Sequence, residues 1–111
     1  LDINISGSGD VYGADLVLDE LVTRISGSGN LSLASSVELT DQKITISGSG
    51  KVNAFSMPTE KSEINISGSG ECNITVSDYL NARISGSGTV LYKGNPTVDQ
   101  KVTGSGTIKH I

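Results

Sequence analysis

The chain has 111 residues, with 12 acidic and 8 basic side chains, one cysteine, one histidine and no tryptophan. Its length fits one domain, and a net charge of −4 without a basic run speaks against nucleic acid as a partner. One cysteine excludes an internal disulfide framework and a cysteine-rich zinc site, and no apolar stretch reaches the ~20 residues that a membrane helix needs.

In chain order, the first element is Ile3-Asn4-Ile5, an apolar–polar alternation that predicts a strand with one buried face. Ser6-Gly7-Ser8-Gly9 follows, and Val11 stands two residues beyond it. The same unit then recurs. Ser-Gly-Ser-Gly begins at Ser6, Ser26, Ser47, Ser67 and Ser85, and Thr103 opens a variant copy, at spacings of 20, 21, 20, 18 and 18 residues. Ile5, Ile25, Ile46, Ile66, Ile84 and Val102 precede the copies; Val11, Leu31, Val52, Cys72, Val90 and Ile108 follow them. A flexible linker would not be bracketed by buried-type residues at fixed offsets. The glycines therefore mark tight turns between strands, where φ > 0 carries no Cβ penalty.

Between copies lie looser return segments that vary in length and hold both prolines, Pro58 and Pro96. The best helical stretch, Ala14 to Val22, is apolar but fits inside one repeat. A period near 20 means one supersecondary unit stacked on copies of itself. Two architectures satisfy the pattern: a meander of hairpins, or a parallel solenoid in which each strand pairs with its counterpart one repeat away. Similar repeat lengths and a column of identical isoleucines favour the solenoid. Crossovers between parallel strands are overwhelmingly right-handed. The expectation is an all-β, right-handed parallel β-helix with coils of about 20 residues and two main sheets joined at Gly-Ser-Gly corners.

Ile-Ser-Gly-Ser-Gly followed by a polar and then an aliphatic residue resembles the bacterial auto-transporter adhesin, head GIN domain family. The ending, Leu91-Tyr92-Lys93-Gly94-Asn95-Pro96, then Val98, Val102-Thr103-Gly104-Ser105-Gly106 and Ile108, is similar to that family's final coil. The resemblance implies a right-handed β-helix of secreted or surface proteins, in the periplasm or outer membrane of Gram-negative bacteria, with a role in adhesion. It supplies no catalytic residues to carry over. Domains of the family are usually longer, and Leu1 enters in the middle of a coil, so residues 1–111 are expected to form the C-terminal part of a longer β-helix.

Reactive chemistry finds little support. The position after each motif reads Asp10, Asn30, Lys51, Glu71, Thr89 and Thr107, so no carboxylate ladder forms for calcium, and no acidic cluster recurs for glycan cleavage. His110 lacks partner ligands and is expected to fray with the C-terminus. Cys72 falls in a core column. No catalytic residue, cofactor or metal is expected. What remains is surface. The outward positions before the motif, Asn4, Arg24, Thr45, Asn65, Arg83 and Lys101, would form one polar stripe. The other sheet would offer Tyr12, Ser32, Asn53, Asn73, Leu91 and Lys109, and Tyr12 and Tyr92 are the aromatics to inspect for a partner. The expected function is a non-enzymatic surface module that binds a glycan or a host or cell-surface protein. A carbohydrate-active β-helix with an atypical site and a purely structural spacer are the alternatives. An open strand edge at residues 1–5 would be paired by additional N-terminal coils or by a second copy in a homo-oligomer.

Overall fold

The computed structural model describes residues 2–13, 19–34 and 38–111, apart from the Met57 side chain. Residues 14–18, within the apolar stretch considered for a helix, lie outside the described residues, whereas its end is strand. Among the described residues ten strands follow one another: β1 (Asp2–Gly7), β2 (Asp10–Gly13), β3 (Glu20–Gly27), β4 (Asn30–Ala34), β5 (Leu39–Gly48), β6 (Lys51–Gly68), β7 (Glu71–Gly86), β8 (Thr89–Lys93), β9 (Thr97–Thr103) and β10 (Thr107–His110).

Every described strand pair is parallel, which decides for the solenoid over the meander. Two ladders run through the molecule. The first contains β1, β3, β5, the C-terminal parts of β6 and β7, and β9. The second contains β2, β4, the N-terminal parts of β6 and β7, β8 and β10. The coils stack in register, so Ile5, Ile25, Ile46, Ile66, Ile84 and Val102 form one column. Val11, Leu31, Val52, Cys72, Val90 and Ile108 form the other. The central members are fully enclosed between neighbouring coils. Burial of each large aliphatic side chain contributes about 1.5–3 kcal/mol. Val102, on the last strand of this ladder, is 38 % exposed.

The return segments are more regular than the sequence pattern predicts. At the centre they are strand, because β6 and β7 continue through them and join the two ladders. Their unequal lengths are absorbed by bulges. Ala54 pairs Ile74 and Pro58 pairs Thr75, which leaves three extra residues on β6. Thr59 pairs Val76 and Lys61 pairs Tyr79, which leaves one extra on β7. The net difference of two is the difference between a 20-residue and an 18-residue repeat. Bulges confine the slip locally and restore the register before the next motif.

The breaks at the motif are bridged by backbone hydrogen bonds between coils. Ser69 N–H donates to Gly48 O and Glu71 N–H to Gly50 O, both at 3.0 Å. The two glycines of a motif serve different ends. Gly68 has φ 118°, a left-handed conformation that side chains disfavour. Gly70 has no such φ, but a Cβ there would lie 2.5 Å from Ile46 Cγ2 of the preceding coil.

A few polar side chains sit inside the coil. Gln42 and Ser62 are neighbours in the column of Leu21 and Leu80. Thr59 Oγ1 donates to Gln42 Oε1 at 3.2 Å, while Gln42 Nε2, Ser62 Oγ and Thr23 Oγ1 have no partner among the described residues. Cys72 is fully buried, and desolvation, aided by the neighbouring Glu71 charge, pushes its thiol well above the usual range. It therefore stays protonated and inert, as expected of a core residue.

Candidate functional site

Strand alternation sends Ile46, Ile66 and Ile84 inward and their neighbours outward. Asn4, Arg24, Thr45, Asn65, Arg83 and Lys101 consequently form one continuous register column on the outer face of the first ladder. Asn4, Arg24, Arg83 and Lys101 are exposed, and Thr45 and Asn65 are half-buried. Thr45, Asn65, Arg83 and Lys101 of this stripe form one wall of a shallow trough of about 370 Å³ that crosses four coils. The opposite wall is a row of hydroxyls, Ser47, Ser67, Ser85 and Thr103. Sequence reasoning assigned these serines to turns. The signal that places them was present in the alternation: each follows an inward isoleucine within the same strand, so each points out.

A second trough of about 370 Å³ lies on the same face, nearer the strand starts. Its walls carry Glu20, Asp41 and Glu63 beside Lys43 and Lys61, so its charges alternate in sign. The first trough differs. Its walls hold Arg83 and Lys101 and no carboxylate. Asp99, two residues before Lys101, instead accepts a hydrogen bond from Tyr79 Oη at 3.2 Å. Desolvation and the Asp99 charge push the Tyr79 hydroxyl above its usual range, with Arg83 opposing.

Tyr12 and Tyr92 are not part of this face. Tyr12 lies on the second ladder, in register with Ser32, and is 83 % exposed. Asn30 Nδ2 donates to Asp10 Oδ1 at 3.0 Å beside it. Tyr92 occupies the inward column of Ile74 and packs against the core. Its ring meets His110 at 5.0 Å between centroids. His110 is correspondingly not frayed. It belongs to β10, pairs with Tyr92, and its Nε2 lies 2.7 Å from Gly94 O. The ring contact and the carbonyl hold it where sequence position alone predicts a loose end. Further along the second ladder, Lys93 Nζ sits 4.6 Å over the Phe55 ring, which occupies that cation.

Among the described residues no group of three His, Cys, Asp or Glu side chains could hold a metal ion. No helix among them is long and apolar enough to cross a membrane. The first trough presents hydroxyl groups on one wall and the two cations on the other.

No curated protein matches the chain. Solved structures do. A lipid-binding protein of Parabacteroides distasonis, so named with the qualifier putative, superposes with a TM-score of 0.95 at 33 % identity, over 99 % of this chain and 44 % of its own length. An adhesin of Bacteroides fragilis, likewise qualified, gives 0.92 at 28 % identity, over 100 % of this chain and 50 % of its own. A third, an adhesin of Parabacteroides merdae with the same qualifier, gives 0.84 at 32 % identity, over 97 % and 45 %. The chain thus spans about half the length of these structures. The profile of the family described as "Putative auto-transporter adhesin, head GIN domain" matches residues 1–96, and the chain belongs to that family.

Proposed function

We propose that the chain is a non-enzymatic binding module of a secreted or cell-surface protein of a Gram-negative bacterium, held in the periplasm or at the outer membrane, and that it engages a glycan or protein ligand through the outer face of the first ladder. The observation that carries this reading is the unbroken register column from Asn4 to Lys101 with the hydroxyl row beside it. Such a face presents polar side chains, with a repeated hydroxyl beside them, at ~4.8 Å intervals, which suits an extended ligand lying across several coils. The adhesin names of similar structures from Bacteroides and Parabacteroides support the same role.

The reading includes a right-handed coil whose Gly-Ser-Gly breaks form its corners, in line with the hand of parallel crossovers generally. An electron-density map showing the opposite hand would overturn that part. It also includes β1 as a covered edge: Ile3 and Val11 are half-buried where their column neighbours in the central coils are enclosed. In the intact protein, further coils or a second copy would pair with β1. Amides of residues 2–5 should then be protected from hydrogen exchange, and immediate exchange there would contradict the pairing.

The binding face is tested with beads coated with the protein and washed over host matrix. Thr45→Glu with Asn65→Glu should sharply reduce bead retention. Tyr12→Glu with Ser32→Glu, the same charge change on the second ladder, should leave retention unchanged. The reverse result would move the face to the second ladder.

A further inference from the structure

We propose that the trough between the polar stripe and the hydroxyl row binds an acidic polysaccharide, whose carboxylate or sulfate groups seat on Arg83 and Lys101. This inference rests on the binding face proposed above and names the ligand class that the face accepts.

Arg83 and Lys101 are register partners on adjacent strands, so the two cations stand side by side on one face. Like charges placed directly opposite each other destabilise a sheet. A neighbouring carboxylate would relieve such a pair, and this chain has 12 to draw on. None lines the trough. Neither cation is ion-paired among the described residues, where Lys51 and Glu71 on the second ladder form the recorded bridge. Asp99, the acidic residue nearest to Lys101 along β9, is directed to Tyr79. The adjacent trough shows the contrasting case, with acids and lysines intermixed. A protein of net charge −4 therefore keeps a cationic, carboxylate-free strip on its open face. An anion arriving there meets two positive charges and removes their mutual repulsion, which gives it an advantage over a neutral ligand.

The rest of the trough selects the carrier of that anion. Ser67, Ser85 and Thr103 stand across from the cations and both donate and accept hydrogen bonds, as sugar hydroxyls do. Their ~4.8 Å interval lets successive sugar units meet successive coils. The trough walls contain no aromatic ring on which bases could stack. An acidic polysaccharide fits both the charge and the hydroxyl row, and nucleic acid fits only the charge.

Binding to the chain is measured with four immobilised probes: polygalacturonate, dextran sulfate, unmodified dextran and single-stranded DNA. The wild-type chain should bind one or both acidic polysaccharides, more weakly as salt rises, with little binding to dextran or DNA. Arg83→Gln with Lys101→Gln should weaken that binding about tenfold or more, as expected for the loss of charge-assisted contacts. Lys43→Gln with Lys61→Gln removes the same charge from the neighbouring trough and should leave binding within about twofold. Arg83→Lys should restore most of the affinity to Arg83→Gln. Folding of each variant is checked by its urea midpoint, and Arg83→Gln should not lower it, since it removes a like-charge contact. Equal losses from both glutamine pairs, or DNA bound as well as the polysaccharides, would overturn the proposal as non-specific attraction. Bead retention that depends on Thr45 and Asn65 without any binding of acidic polysaccharide would also overturn it, yet leave the binding face standing. Loss of both would remove the two together.

Discussion

Replacing Gly70 by alanine lowers the stability of the fold by about 1–3 kcal/mol, the range for forcing an extra carbon into a packed site. The added Cβ would lie 2.5 Å from Ile46 Cγ2 and 3.1 Å from Gly50 O, both in the preceding coil. Backbone atoms bound into an inter-coil ladder have little room to retreat, because Glu71 N–H, the next residue, is held at 3.0 Å by Gly50 O. Gly68→Ala has a cost of similar size and a different origin. Its φ of 118° would have to be adopted by a residue with a Cβ, on the order of 1–3 kcal/mol of strain, and that Cβ would also meet Gly48 O at 2.7 Å. Gly9→Ala is the control. It has open space around it and no positive φ, so its effect should stay within about 0.5 kcal/mol. Urea unfolding midpoints of the three variants test the ordering.

A double-mutant cycle separates collision from general disturbance. Ile46→Ala alone removes a fully buried side chain and should cost about 2–5 kcal/mol. It also vacates the space that the Gly70→Ala methyl needs. The two changes together should therefore cost less than their separate effects added, by on the order of 1 kcal/mol. Strict additivity would show that the contact with Ile46 is not why glycine stands at that position.

The division of labour within the motif marks the limit of what one repeat reveals. Period-two alternation acts over a few residues and the isoleucines recur at a fixed offset from each motif, so strands, inward faces and the polar stripe were legible in the sequence. The first glycine of each pair was legible for the same reason, since a chain that must turn needs φ > 0 locally. The second glycine was not. It is required by the isoleucine one coil earlier, as Gly70 is by Ile46, a contact between residues more than 20 positions apart in sequence that exists only after stacking. The bulges between Ala54 and Lys61 have the same character, because they compensate a length difference between neighbouring coils rather than anything in either coil alone. His110 was misjudged because its partners, Tyr92 and Gly94, lie in the preceding coil. At the candidate site, the stripe followed from alternation. The unmatched charge of Arg83 and Lys101 did not, because it depends on where Asp99 is directed.

Thr23→Val should make the protein more stable, by about 1–3 kcal/mol, the desolvation cost of a buried hydroxyl without a partner. Thr23 is fully buried, stands in register between Ile3 and Ile44, and leaves Oγ1 unpaired. Valine keeps the branched shape and a strong strand preference while removing the oxygen. The opposite change one coil later, Ile44→Thr, puts a hydroxyl into a site equally closed to solvent and removes apolar volume, and should cost about 2–4 kcal/mol. The pair tests whether the column is dry along its length. A fall in the urea midpoint for Thr23→Val would mean that this hydroxyl is hydrogen-bonded in solution and that water reaches the core at the third strand. A rise would place the unpaired oxygen among costs that the isoleucines stacked on either side already outweigh, and would make the first ladder a core in which each coil can be improved independently of its polar outer face.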